Sequence, residues 1–185
     1  MEVLDALRSR RSVRRFTKQP IPQSLLQEIL SVAPWVPNHH VSQPWRFIVI
    51  TGDSLTLLAD LRAQAVLKKR QGQATAQERS DKAREEFKTV GAVIAVVQKV
   101  DAEPTRREED YAAMAMATYN IMLAAWDRGI GSYWNTGPLV QDSAVHDWLG
   151  LNSDERPIAF LRMGYPDTIP VTRRTPIEER LEWRT

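Results

Sequence analysis

The chain has 185 residues, 43% hydrophobic and 26% charged, enough apolar content for one buried core and too much for a disordered chain. It contains no cysteine, which excludes disulfides, thiolate nucleophiles, Cys-ligated zinc and iron–sulfur clusters. Its net charge of +2, from 25 basic and 23 acidic residues, does not call for nucleic acid as a partner, so any anion binding must be local.

Val3, Leu4 and Leu7 have helical spacing and predict a short first helix that ends near Arg10 and Arg11. That arginine pair is not an export signal, because no apolar segment follows it and Pro20 and Pro22 interrupt the stretch. With no targeting or spanning segment, the expected compartment is the cytoplasm. Pro22 suits the first position of a second helix, with Leu25, Leu26, Ile29, Leu30 and Ala33 on its apolar face and Pro34 as its stop. Trp35 to Trp45 reads as a loop. Phe47 to Thr51 is a strand, and Asp53 is placed to cap a helix with Leu55, Leu58 and Leu61 on one side. Gly72 interrupts that helix. The charged stretch 73–88 is predicted helical, either as a solvated face or as a mobile lid.

Ala92 to Val97 is a continuous apolar run of strand length, as in a central strand covered on both faces. Thr105 and Glu108 have capping-box spacing, and from Tyr111 to Trp126 there is no charge. A helix apolar on all sides belongs in the middle of a protein. It is too short and too polar at Thr118 and Asn120 to cross a bilayer, which takes about 20 apolar residues. Gly129 and Gly131 end it. Ser132 to Asn135 follows as a short strand entering a turn at Thr136, Gly137 and Pro138. Ser143 can cap a helix carrying Val145, Trp148 and Leu149, and Ile158 to Met163 is the last strand. Thr175 and Glu178 repeat the capping-box spacing in the tail.

Strands interleaved with helices predict a single α+β domain over residues 1–185, a small sheet covered by helices. A fully apolar helix needs partners on every side. Two copies packing their long helices together in a homodimer would supply them.

Arg10, Arg11, Ser12 and Arg14 form the first chemical constellation. Guanidinium groups grip phosphate oxygens bidentately and a hydroxyl adds a further bond, so the cluster suits a phosphate monoester. Taken alone it reads equally as a solvated basic face or a nonspecific nucleic-acid patch. Its company is more specific. The cluster, the stretch Ser42-Gln43-Pro44-Trp45-Arg46-Phe47, the stretch Gly131 to Gly137, and the ending Gly164-Tyr165-Pro166 with Arg173 and Arg174 together resemble the nitroreductase family. The order and spacing of four motifs are kept over nearly the whole chain, and the likeness is greatest to the short, YdjA-like branch.

The resemblance implies an α+β, nitroreductase-like fold with a small, mostly antiparallel sheet, bound flavin mononucleotide (FMN), and an intertwined homodimer with flavin sites at the interface. It implies that Arg10, Ser12 and Arg14 hold the ribityl phosphate and the flavin's pyrimidine edge, that Arg11 orients the chain, and that Arg173 and Arg174 close on the phosphate from the tail. Pro37, Asn38 and His39 would approach the flavin from the other subunit; the alternative is that His39 and His40 decorate an exposed loop. A metal site built on these histidines and His146 is not expected, since adjacent side chains diverge and no carboxylate stands at ligand spacing. Trp134, Asn135, Thr136 and Gly137 would lie along the ring, with backbone N–H groups near Thr136 and Gly137 toward flavin N5 and O4.

Two departures from the branch, Trp35 and Asn135 where it can carry arginine, remove positive charge from the pocket. The implied activity is oxidoreduction, with NADH or NADPH as a transient reductant and a small oxidised acceptor such as a nitroaromatic or quinone. There is no G-x-G-x-x-G loop for a permanently bound dinucleotide. Rival readings are the same fold with another flavin reaction (biosynthetic dehydrogenation, reductive dehalogenation, flavin destruction), a flavin carrier without turnover, and a nucleic-acid-binding module.

Overall fold

The computed structural model describes residues 1–184. Four antiparallel strands make one sheet in the order β1-β2-β4-β3: β1 Trp45–Ile50, β2 Ala92–Lys99, β3 Gly131–Asn135 and β4 Glu155–Gly164. The helices are α1 Val3–Ser9, α2 Gln23–Leu30, α3 Asp53–Lys69, α4 Ala76–Glu85, α5 Pro104–Asp127 and α6 Ser143–Trp148. The expected small antiparallel sheet under helices is therefore present.

The central strand β2 is buried from Ala92 to Gln98, as its unbroken apolar run predicts. Alternation along the pleat sends Ala92, Ile94 and Val96 to one face, against Leu26 and Ile29 of α2 and Met114, Ala117 and Ile121 of α5. Val93, Ala95 and Val97 face the other way, onto Leu58 of α3, Val145 of α6 and Phe160 of β4. The sheet is thus sandwiched between two helical layers, each with its own apolar cluster. No helix among the described residues is long and apolar enough to cross a membrane.

Several helix starts differ from the sequence reading. Glu103, not Thr105, caps α5: its carboxylate accepts from Thr105 N at 2.9 Å and Arg106 N at 2.5 Å. Pro104 takes the first helical position, where its missing N–H costs nothing, and this moves the cap upstream of the expected box. Asp142, rather than Ser143, caps α6 through Ala144 N at 3.0 Å. Asp53 lies inside α3 and makes no capping bond, the helix being entered from Gly52 at φ 57°. Pro22 is the N-cap of α2 rather than its first residue. Trp126 and Trp148 are half-buried against the α3–α6 cluster.

The long helix α5 is also not buried all round. Met114, Ala117, Ile121, Met122 and Ala125 pack on the sheet, while Tyr111, Met116 and Tyr119 face solvent. One sheet covers one side of a helix; in a single chain the other apolar side has no partner.

Candidate functional site

After α1 the chain runs extended along the free edge of β3. Val13 N donates to Ser132 O at 2.9 Å and Thr17 N to Tyr165 O at 2.9 Å, and Ser12 and Phe16 bridge Ser132 and Pro166. Extended backbone alternates its side chains. With Val13 fully buried, Arg10, Ser12 and Arg14 share the opposite parity, which is the physical content of the R-x-S-x-R spacing. Two glycines let this segment dock. A Cβ on Gly131 would stand 2.8 Å from Val13, and one on Gly164 would stand 2.8 Å from Phe16. Gly131 is therefore a close-approach residue; Gly129, at φ 73°, is the one that ends α5.

Arg10 lies over the Tyr119 ring of α5 at 5.6 Å. Its Nε and Nη1 atoms are buried without a hydrogen-bond partner among the described residues. Donors withdrawn from water and left unpaired are costly, so these two fit an anionic ligand at this place, as a phosphate monoester would be. Arg14 lies over the Tyr133 ring at 4.8 Å. Arg11 folds back instead, with Nη1 donating to Arg8 O at 2.6 Å and Arg10 O at 2.9 Å. It ties the end of α1 to the start of the extended segment.

A cavity of about 430 Å³ is lined by Ser12, Arg14, Arg15, Thr168, Pro170 and Thr172. The tail thus reaches the arginine segment immediately before Arg173 and Arg174. These two are exposed, and within one chain neither makes a hydrogen bond or ion pair among the described residues.

At the far end of β3, Trp134 packs half-buried on the α2–α5 cluster, and Thr136 is exposed. Asn135 Oδ1 accepts from Gly137 N at 2.8 Å, so one of the two backbone donors that the resemblance turns toward a flavin is engaged within the turn. Gly137 packs against Arg62 of α3: a Cβ there would meet Asn135 Oδ1 at 2.9 Å and Arg62 Nη1 at 3.1 Å.

The structure does not bring Pro37, Asn38 and His39 to Arg10 within one chain. Asn38 Oδ1 accepts from Gln43 N at 2.7 Å and Ser42 donates to Asp110 at 2.5 Å. His39 pairs with Glu109 at 2.8 Å and stacks on His40 at 3.8 Å. Glu109 and Tyr119 are about 15 Å apart along α5 at roughly 1.5 Å per residue, so the histidine loop and Arg10 sit at separate stations of one helix. The loop holds His40, Val41 and Gln43 at φ 58°, 50° and 45°. Left-handed backbone at a β-branched valine is strained, and such strain concentrates at functional segments.

Sequence reasoning missed Tyr119 and Tyr133, which support Arg10 and Arg14, and a second arginine group, Arg62 with Arg162. Arg62 stands one turn from both Leu58 and Val66 on the buried stripe of α3. A charge on an apolar stripe was the available signal. Arg162 is buried on β4 and donates to Glu86 at 3.0 Å.

The nitroreductase family model matches residues 7–165. The Bacillus subtilis protein YfhC, to which an NAD(P)H nitroreductase activity is provisionally ascribed, is 35% identical over 178 residues, covering 95% of this chain and 91% of its own. A nitroreductase-like family protein from Bacillus cereus is 33% identical in crystal structure, with a TM-score of 0.87 over 100% of this chain and 96% of that one. A Desulfovibrio desulfuricans protein solved in complex with FMN shares the fold, with a TM-score of 0.77 at 24% identity over 100% and 98% of the two chains. With its sheet, its docked arginine segment and its tryptophan-led turn in this arrangement, the chain belongs to the nitroreductase family.

Proposed function

We propose that this protein is an FMN-dependent oxidoreductase that takes electrons from NAD(P)H and delivers them to a small oxidised acceptor such as a nitroaromatic or a quinone, as a cytoplasmic homodimer of single-domain subunits. The observation that carries the reading is Arg10, whose buried donors have no acceptor among the described residues. Arg10, Ser12 and Arg14 hold the flavin phosphate and pyrimidine edge, with Arg173 and Arg174 closing from the tail. Bound FMN supplies the hydride chemistry, while the chain positions it and shapes its charge environment. Trp134 to Gly137 line the ring, and Thr136 N–H offers it a fixed donor.

Exposed apolar surface supports the dimer. Val3 and Leu4 of α1, Met116 and Tyr119 of α5, and Val171 and Trp183 of the tail face water in one chain. A second copy covers them and brings its Pro37, Asn38 and His39 to the flavin, a placement that one chain cannot achieve for its own site. Trp35, 83% exposed, is covered the same way.

The test is the visible absorption of the purified protein. Oxidised-flavin bands that bleach anaerobically on adding NADH or NADPH, and return with a nitroaromatic or quinone, are expected. A protein that takes up no FMN refutes the reading. One that binds FMN but is not reduced by either nucleotide is a flavin carrier instead.

A further inference from the structure

Beside the flavin turn, α3 and α4 enclose a cavity of about 320 Å³ lined by Arg62, Lys69, Arg70, Arg79, Lys82, Glu86 and Pro138, with Val66 and Ala83 as apolar floor. Five cations face one carboxylate, and Glu86 is already held by Arg162. Among the described residues, none of the five is in an ion pair with a carboxylate. Arg70 donates to the Gln73 amide and Arg79 to the Thr75 hydroxyl; Arg84 and Lys68 nearby do have acidic partners, Asp60 and Asp142.

Of the five, only Arg62 has buried donors, Nε and Nη1, without a partner among the described residues. Burial lowers its pKa from the ordinary arginine value; Glu86 opposes this and the Arg162 charge adds to it. Ser80 Oγ donates to Ala63 O at 2.9 Å and pins α4 to α3, so the two walls are fixed relative to each other.

A buried fork of donors under a rim of unpaired cations is a site for a multiply charged phosphate ester, since guanidinium groups bind phosphate bidentately and the rim attracts it from solution. The volume exceeds that of one inorganic phosphate, and the lining holds no aromatic ring to stack a base, so recognition is of phosphate rather than of adenine. Pro138 follows Gly137, which puts the cavity next to the turn that faces the flavin.

We propose that this cavity binds the phosphate groups of the adenosine end of NADPH, the 2′-phosphate above all, and so makes the protein select NADPH over NADH; this rests on the reductase reading above. The 2′-phosphate is the one group by which the two reductants differ, and it adds nearly two negative charges at neutral pH.

The test is the double substitution Arg79→Gln and Lys82→Gln, at exposed helix positions outside the flavin site. Removing two rim charges should raise KM for NADPH about tenfold while KM for NADH and the affinity for FMN stay as in the wild type. Calorimetric titration of 2′,5′-ADP into the FMN-loaded protein gives a readout independent of turnover. Saturable binding that is weakened by the double substitution, and that inorganic phosphate does not match, supports the proposal even if neither nucleotide is oxidised and the reductase reading falls. Equal shifts for NADPH and NADH, no shift for either, a loss of FMN affinity, or phosphate binding as tightly as 2′,5′-ADP overturns it.

Discussion

Replacing Gly131 by alanine tests how the arginine segment is held. The new methyl would stand 2.8 Å from both Cβ and Cγ2 of Val13 and 3.1 Å from Pro166, and Val13 is buried with no room to move aside. Overpacking of this kind costs about 1–3 kcal/mol. For a chain of this size that lowers Tm by about 2–4 °C per kcal/mol. The strain is relieved most readily by lifting the Arg10–Arg14 segment off β3, which moves the phosphate donors as well. Gly129→Ala is the control: the site is open, with nothing within 4 Å, but φ is 73°, so alanine there costs about 1 kcal/mol through backbone strain alone. Denaturant unfolding and FMN fluorescence quenching, run on both variants, separate the effects. Both proteins lose stability, and Gly131→Ala alone loses FMN affinity. If Gly129→Ala weakens FMN binding equally, or Gly131→Ala leaves it intact, the docking argument is wrong.

Gly164→Ala, aimed at Phe16 from 2.8 Å, should behave as Gly131→Ala does in the same two assays. Met116→Glu places a charge on the open stripe of α5; leaving it unpaired in an interface costs about 3 kcal/mol or more, a hundredfold or so in the dimer dissociation constant, and sedimentation should show monomers where the wild type is dimeric. Glu103 caps α5, and the Arg106 and then the Thr105 N–H hold its carboxyl below the usual range. Because its folded pKa is depressed, its stabilisation is complete above the unfolded value of about 4.3 and is lost as pH falls through the folded one. Glu103→Gln should therefore flatten the acid limb of a stability–pH curve while leaving the limb above neutrality in place. Asp142→Ala removes the cap of α6 and should cost about 1 kcal/mol, read as a shift of the urea midpoint.

The sequence made the layered plan legible because burial imposes patterns on it. Ala92 to Val97 reads as a doubly covered strand since a central strand must be apolar at every position, and the R-x-S-x-R parity follows from docking one face on β3. The helix caps were harder to read. Thr105 and Ser143 are good capping residues in isolation, but Pro104 and Asp142 move each helix start by a residue or two. The uncharged run of α5 shows that the helix is to be covered, and the side left open in one chain is where the expected second copy would lie. Arg62 went unread because a single charge in an apolar stripe resembles a surface residue until the fold buries it.

Titration of FMN into Arg10→Met, beside the wild type, tests the central claim most directly. Arg10 carries buried donors with no acceptor among the described residues. Losing its charge-assisted bonds should raise the FMN dissociation constant about ten- to a hundredfold, while the flavin-free protein is as stable as the wild type or more so, since an unpaired guanidinium has been replaced by an apolar chain. Unchanged FMN affinity, with or without a loss of stability, would contradict the account.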